Sequence, residues 1–333
     1  MSSTKSNRAS SLVAFVVSAV FILLAVWVFL NRQLVLDQIS VWSYTPSSDI
    51  ATIQERVHFS EKGKFVFYAT KPAVANQAEF NKECPRQETG SPILGCYTAD
   101  DHIYVYDITN SKLDGMEEVT AAHEMLHAAW YRTSEAEKER LSTELRAAYE
   151  KIDNSELKTR MDYYERTEPG EFINELHSIL GTEIKSLDES LEAYYGQFFN
   201  RNEVIKLHEQ YSAVYKQLYA RADDLYSTMQ TLSMTIQDRS RNYDTSVAQL
   251  SVDIAAFNRR ANNDGFSSQS QFNAERSALV TRTNALDAER ASINASINKY
   301  NELYDEYQTI AKQIEGLNDS IDSFKQIEQA PSV

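Results

Sequence analysis

The chain has 333 residues, with 33 Lys and Arg against 48 Asp and Glu and a formal net charge of −15. An acid excess of that size argues against nucleic acid and anionic lipid headgroups as partners, and leans toward neutral or basic substrates. Most of it falls in residues 31–200, where 17 basic residues face 30 acidic ones, a balance of −13.

Residues 1–11 form a short tail carrying Lys5 and Arg8. Leu12 to Leu30 is a 19-residue run without a charge, long enough to cross a bilayer and longer than the apolar part of a typical signal peptide. Its end, Val28-Phe29-Leu30-Asn31-Arg32, is too bulky for a cleavage site, so an uncleaved single-pass anchor is expected. Two basic residues before the span against Arg32 after it, soon offset by Asp37, put the N-terminus in the cytoplasm and the rest outside. Residues 31–55 read as a juxtamembrane linker ending in polar Thr45-Pro46-Ser47-Ser48-Asp49.

Residues 56–200 are long enough for one domain core. Lys64-Phe65-Val66-Phe67-Tyr68-Ala69 reads as a strand. Cys84 and Cys96, the only cysteines, bracket a turn-rich stretch from Pro85 to Pro92, which predicts a disulfide in an oxidising compartment. Such a bridge is worth about 3 kcal/mol by loop entropy. After His102, Ile103 to Ile108 alternates and is rich in β-branched and aromatic residues, so it predicts a strand, either structural or an edge to which an extended peptide adds.

A helix is expected from about Met116, because Asp114-Gly115 breaks the chain and Glu117 and Glu118 suit a helix N-terminus. It carries His123-Glu124-Met125-Leu126-His127, the pattern H-E-x-x-H. Histidines at i and i+4 lie one above the other on a helix and can reach one metal ion. Glu124, about 100° further round, is placed to act as general base on a metal-bound water. A catalytic zinc site needs a third protein ligand, and the residues after His127 supply none. It must come from a second helix, and Thr167 to His177 is the best candidate. Pro169 suits a first turn, Phe172, Leu176, Ile179 and Leu180 make a buried stripe, and Glu171 and Glu175 share the neighbouring face. His177 would be a ligand only in a different helix register and reads as a core histidine.

H-E-x-x-H followed 44 residues after His127 by Glu171-Phe172-Ile173-Asn174-Glu175 resembles the gluzincin class of zinc metallopeptidases, and is most similar to the lethal-factor-type peptidase domain. The resemblance spans residues 100 to 180. It implies a zincin-like fold with Zn2+ held by His123, His127 and Glu171. Glu175 would stand behind the metal as the partner of a zinc histidine, and Tyr164 would assist at the oxyanion. Asn174 departs from the family, which usually has a small or aromatic residue there.

From residue 201 glycine and proline nearly vanish. Leu225, Met229, Leu232, Ile236, Tyr243, Val247, Leu250, Ile254 and Phe257 follow a coiled-coil spacing, as do Leu279, Leu286, Ile293, Ile297, Tyr300, Tyr304 and Tyr307. With a turn near 262–270, residues 201–328 predict an antiparallel coiled-coil hairpin; a larger bundle or a parallel oligomeric coil are the alternatives. Asn294-Ala295-Ser296 and Asn318-Asp319-Ser320 match the N-glycosylation pattern, which is too common to place the chain.

The expected fold is α+β and mainly helical: a zincin-like domain with a small antiparallel sheet, after one transmembrane helix and before the coiled coil. The expected function is a membrane-anchored extracytoplasmic zinc metallopeptidase acting on a peptide or protein substrate. A partner, or a second copy, would meet it through the coiled coil. The competing reading is an envelope scaffold or adhesion protein whose zincin-like domain is degenerate.

Overall fold

Twelve α-helices and three short strands occur among the described residues of the computed structural model, which are 5–85, 93–167 and 170–323, with side chains from residue 12 onward. Helix α1 (Lys5–Leu30) contains the Leu12–Leu30 run, none of it buried, and is long and apolar enough to cross a membrane. The expected linker over 31–55 is instead two helices built into the fold, α2 (Arg32–Ser43) and α3 (Ser48–Val57). The polar stretch read as the end of that linker is a helix cap, with the Ser47 side chain accepting from the Ile50 amide at 3.3 Å. Ile50, Ile53 and Val57 then recur at helical spacing and are wholly buried in the core.

The strand expected over 64–69 is also helical, as α4 (Glu61–Ala69). Ser60 caps it by accepting from the Gly63 amide at 3.1 Å, and the buried positions are Gly63, Val66, Phe67, Ala69 and Thr70. Gly63, Val66, Phe67 and Thr70 stand at i, i+3, i+4 and i+7, one face of a helix, so packing overrode the β-propensity of Phe65 to Tyr68.

Strands β1 (Ala73–Ala75), β2 (Gly95–Tyr97) and β3 (Ile103–Tyr106) form one mixed sheet in the order β1-β3-β2. β3 pairs parallel with β1, Val74 opposite Val105, and antiparallel with β2, Cys96 opposite Tyr104. The strand expected as a possible edge is therefore the central one, and neither side of it is open to a peptide. Between β1 and β2 runs α5 (Gln77–Glu83). A disulfide joins Cys84, just past its end, to Cys96 of β2, with Cα atoms 5.9 Å apart. The loop between them lies largely outside the described residues.

The main core gathers on α6 (Met116–Tyr131). Its Val119, Ala122, Met125 and Leu126 share one buried cluster with Ile103 and Val105 of the sheet and with Leu176, Ile179 and Leu180 of α9 (Phe172–Glu183). Helices α7 (Glu135–Lys151), α8 (Ser155–Thr167) and α10 (Glu189–Tyr195) complete that cluster with Leu141, Leu145, Leu157, Met161, Leu191 and Tyr195.

The chain divides into two compact units, residues 1–214 with 317–333, and residues 215–316. The second consists of parts of α11 (Arg201–Asn262) and α12 (Gln269–Ile321). Arg221 meets Glu306 at 2.6 Å, Arg239 meets Glu289 at 2.8 Å, Asp253 meets Arg282 at 2.6 Å, and Arg260 meets Glu275. Numbers rise on one helix as they fall on the other, so the two run antiparallel. Leu225, Met229 and Leu303 are buried between them, and Phe257, Phe266 and Phe272 pack together beside the turn.

Candidate metal centre

Three contacts fix how α6 is turned about its axis. Gly115 starts the helix at a φ of +95°, a conformation glycine adopts without strain. Arg56 of α3 reaches Glu118 at 2.7 Å and Asp114 at 2.9 Å, and Glu117 accepts from the Ile108 amide at 2.6 Å. The opposite face of the helix then presents His123 and His127, ring centroids 4.8 Å apart, toward α9.

Glu175, one turn into α9, completes the group. His127 Nε2 lies 3.4 Å from Glu175 Oε1, and His123 Nε2 lies 3.7 Å from Glu175 Oε2. One donor atom from each of the three residues falls within 4.8 Å of the others, so the group could hold a metal ion. Ligand atoms 2.0–2.1 Å from a tetrahedral zinc stand about 3.3 Å apart, close to the two spacings observed. Side-chain exposures of 18% for His123, 10% for His127 and 13% for Glu175 keep the group largely out of water without sealing it off.

The surrounding hydrogen bonds suit that use. His127 Nδ1 sits 3.0 Å from Asn174 Oδ1 and 3.4 Å from Ser178 Oγ, which orients the ring and leaves Nε2 for the group. Asn174 in turn donates from Nδ2 to Glu171 Oε2 at 2.9 Å. Glu171, expected from the resemblance to be the ligand, thus stands one step behind the donors, and Glu175 stands among them. The reason is where the helix begins: Glu171 occupies the N-cap of α9 and is exposed, so Glu175 is the first of the two turned inward. Asn174 thus links Glu171 to His127.

Glu124 is buried on the same helix, beneath β2. Gly95 makes room for it, because a Cβ there would fall 2.8 Å from Glu124 Cγ and 2.9 Å from Oε1. A glycine inside a strand is the sequence signal for such an approach. Burial pushes the Glu124 carboxyl above its ordinary value, against the pull of His127, His123 and a hydrogen bond from the Tyr97 main chain. For Glu175 burial pushes the same way but the two histidines outweigh it, so its carboxyl is held low. Burial lowers His123, but the hydrogen bond to Glu175 and the charges of Glu124 and Glu175 outweigh it and raise the ring.

His177 is wholly buried, its Nε2 3.0 Å from Tyr194 Oη and its ring beside Trp130; burial and the nearby histidines push it down to about 3. It is a core histidine. Tyr164 lies on α8 with its ring 5.8 Å from that of Tyr163, half-buried against the core. Glu168 and Pro169 lie outside the described residues. His102 faces the Asp100 carbonyl at 3.0 Å in the turn between β2 and β3.

Comparison of the chain with protein-family models, curated proteins and solved structures finds no match.

Proposed function

We propose that the chain is a membrane-anchored, extracytoplasmic zinc metallopeptidase that hydrolyses peptide bonds. The observation that carries this reading is the convergence of His123, His127 and Glu175 beside a buried Glu124 on the same helix. Two imidazoles and one carboxylate are a donor set typical of catalytic zinc, which keeps a fourth position for water. A zinc ion held by these three residues would lower the pKa of that water and polarise the scissile carbonyl.

The protein's own groups do the rest. His127 is oriented by Asn174 and Ser178, so its Nε2 is presented without rotational search. Glu124 takes a proton from the attacking water and returns it to the leaving amine. Gly95 and the Tyr97 main chain hold that carboxylate in place.

The outer edge of β2, which pairs with no other strand among the described residues, is the place for an extended substrate, rather than β3. Leu94 pairs with Tyr106 of β3 and Thr98 with His102 just before it, at 2.8 Å each, so by alternation the main chain of Gly95 turns away from β3, as does that of Tyr97, whose amide already meets Glu124. A peptide strand laid there gains main-chain hydrogen bonds next to Glu124. The heptad spacing of α11 and α12 supports reading residues 215–316 as a coiled coil that holds a partner protein or a second copy. The stronger basic flank before Leu12 supports a cytoplasmic N-terminus.

The test is zinc content of the full chain purified in detergent, with cleavage of a broad peptide library with and without chelator. Stoichiometric zinc and chelator-sensitive cleavage are expected. A protein that takes up no zinc and cuts nothing sinks the proposal.

A further inference from the structure

Almost no slack separates the apolar helix from the metal centre. Asn31 is the one residue between α1 and α2, and helical hydrogen bonding runs through it: its amide reaches the Trp27 carbonyl at 2.9 Å, and the Val35 amide reaches its own carbonyl at 3.1 Å. Three residues past Leu30, Gln33 donates to Asp37 at 2.9 Å and to Asp101 at 3.3 Å. Asp37, only 3% exposed, takes a forked pair of bonds from Arg132, 2.9 Å from Nε and 2.7 Å from Nη2.

Arg132 caps the end of α6, five residues after His127. Its Nη1 also donates to the Ala128 carbonyl at 3.1 Å, and its Nη2 to Asp101 at 2.7 Å. Asp101 holds a φ of +66°, which a residue with a side chain keeps only where its neighbours over-determine it. Tyr97 closes the cluster: its hydroxyl donates to Asp101 at 2.7 Å, while its main chain bonds to Glu124. The segment leaving the apolar helix, the end of the metal-bearing helix and the strand over Glu124 are one hydrogen-bonded block.

We infer that this block holds the metal centre at a short, set height above the bilayer, and that its substrates are polypeptide segments tethered to the same bilayer. The inference rests on the peptidase reading above. Seven helical residues from Leu30 to Asp37 and five from His127 to Arg132 amount to at most about 18 Å of height, reached when both segments lie along the bilayer normal. With the width of one Asp–Arg pair added, a chain anchored in that bilayer spans the gap with roughly ten extended residues. An enzyme cutting freely diffusing peptides gains nothing from a fixed height. One cutting tethered chains gains both a high local concentration of substrate and a choice of cleavage site by distance.

The experiment places the full chain in neutral-lipid vesicles with one cleavable peptide, taken from the library above, offered free or lipid-anchored through spacers of about 5, 10, 20 and 40 residues. The spacer of about ten should be cut on the order of 100-fold faster than the free peptide at matched total concentration. A flexible Gly/Ser segment of about 20 residues inserted after Asn31 should shift the optimum to longer spacers, leaving zinc content unchanged. Asp37→Ala should blur the optimum; if it fails to fold, as loss of zinc would reveal, the insertion variant still decides. Equal cutting of free and tethered peptide, or an optimum that the insertion does not move, overturns the inference and leaves the peptidase reading standing. No cutting in any format by zinc-loaded protein removes that reading, and this inference with it.

Discussion

The candidate metal centre and the pair of long helices are both helical, yet they place their charges in opposite ways. Around the centre, Glu124, Glu175, His123, Asp37 and Arg132 are largely buried, each held by named partners. Between α11 and α12, Arg239 and Glu289 are 30% and 38% exposed, and Arg221 and Glu306 are each 44% exposed. A charge taken out of water must be paired and is costly to orphan, whereas an exposed pair exchanges one set of favourable contacts for another of nearly equal worth. Single charged residues should therefore matter greatly in the first region and hardly at all in the second, whose stability lies in its apolar seam.

The largest effect that could break this contrast belongs to Glu124. Glu124→Gln keeps the shape of the side chain but cannot take a proton, so hydrolysis should fall by roughly 10²–10⁴-fold while zinc stays bound. Near-normal turnover in that variant, measured beside its metal content, rules out the mechanism. Next comes the choice of carboxylate. Glu175→Ala should abolish stoichiometric zinc binding, whereas Glu171→Ala or Asn174→Ala should weaken it by about 10–100-fold. A metal titration in which Glu171→Ala proves the worse variant would restore the assignment drawn from the resemblance and unseat the one drawn from the geometry.

In the helix pair the sensitive residue is apolar. Leu225 is 1% exposed in the seam, and Leu225→Ala should destabilise that unit by about 2–5 kcal/mol. Arg239→Ala, read by the same thermal unfolding curve, should leave the transition where it is. A smaller effect returns to the site. Gly95→Ala sets a methyl 2.6 Å from Thr120 Cγ2 and 2.8 Å from Glu124 Cγ, so β2 or Glu124 must shift. Loss of activity with zinc retained is expected; full activity would show that the strand does not hold the carboxylate.

How much of this could be read from the sequence follows from how local each signal is. The His123/His127 pair is set by one helical turn, the disulfide by two solitary cysteines, and the long helices by heptads repeated over many turns. Each needs only neighbours in the chain. The third donor needed more: Glu171 and Glu175 differ only in which of them lies inside α9, and helix starts are uncertain by a residue or two from sequence. The helices α2, α3 and α4 escape a reading of the sequence because caps at Ser47 and Ser60 and tertiary partners such as Arg132 decide them. The order of the strands, which puts β3 in the middle and β1 and β2 on its two sides, is likewise invisible to alternation within one strand.

The last and smallest effect concerns pH. Burial pushes the Glu117 carboxyl up to about 7, with Glu118, Asp107 and Asp49 adding to the rise and the Ile108 amide opposing it. A carboxyl raised in the folded state favours the protonated form there. Its stabilising contribution is thus complete below the ordinary carboxylate range and is lost as pH rises through about 7. Gln at this position can still accept from the Ile108 amide but cannot ionise. Glu117→Gln should therefore be matched with the parent at low pH and grow relatively more stable from about pH 5 to about pH 8. Glu289 is the counterpart in the helix pair, where Arg239 holds the carboxyl below its usual value. Glu289→Gln should leave the stability curve unchanged over that same interval and alter it only in acid. Unfolding profiles of the two variants that coincide across that interval would mean that Glu117 is solvated as freely as Glu289, and the contrast between buried and exposed charge would fail at the start of α6.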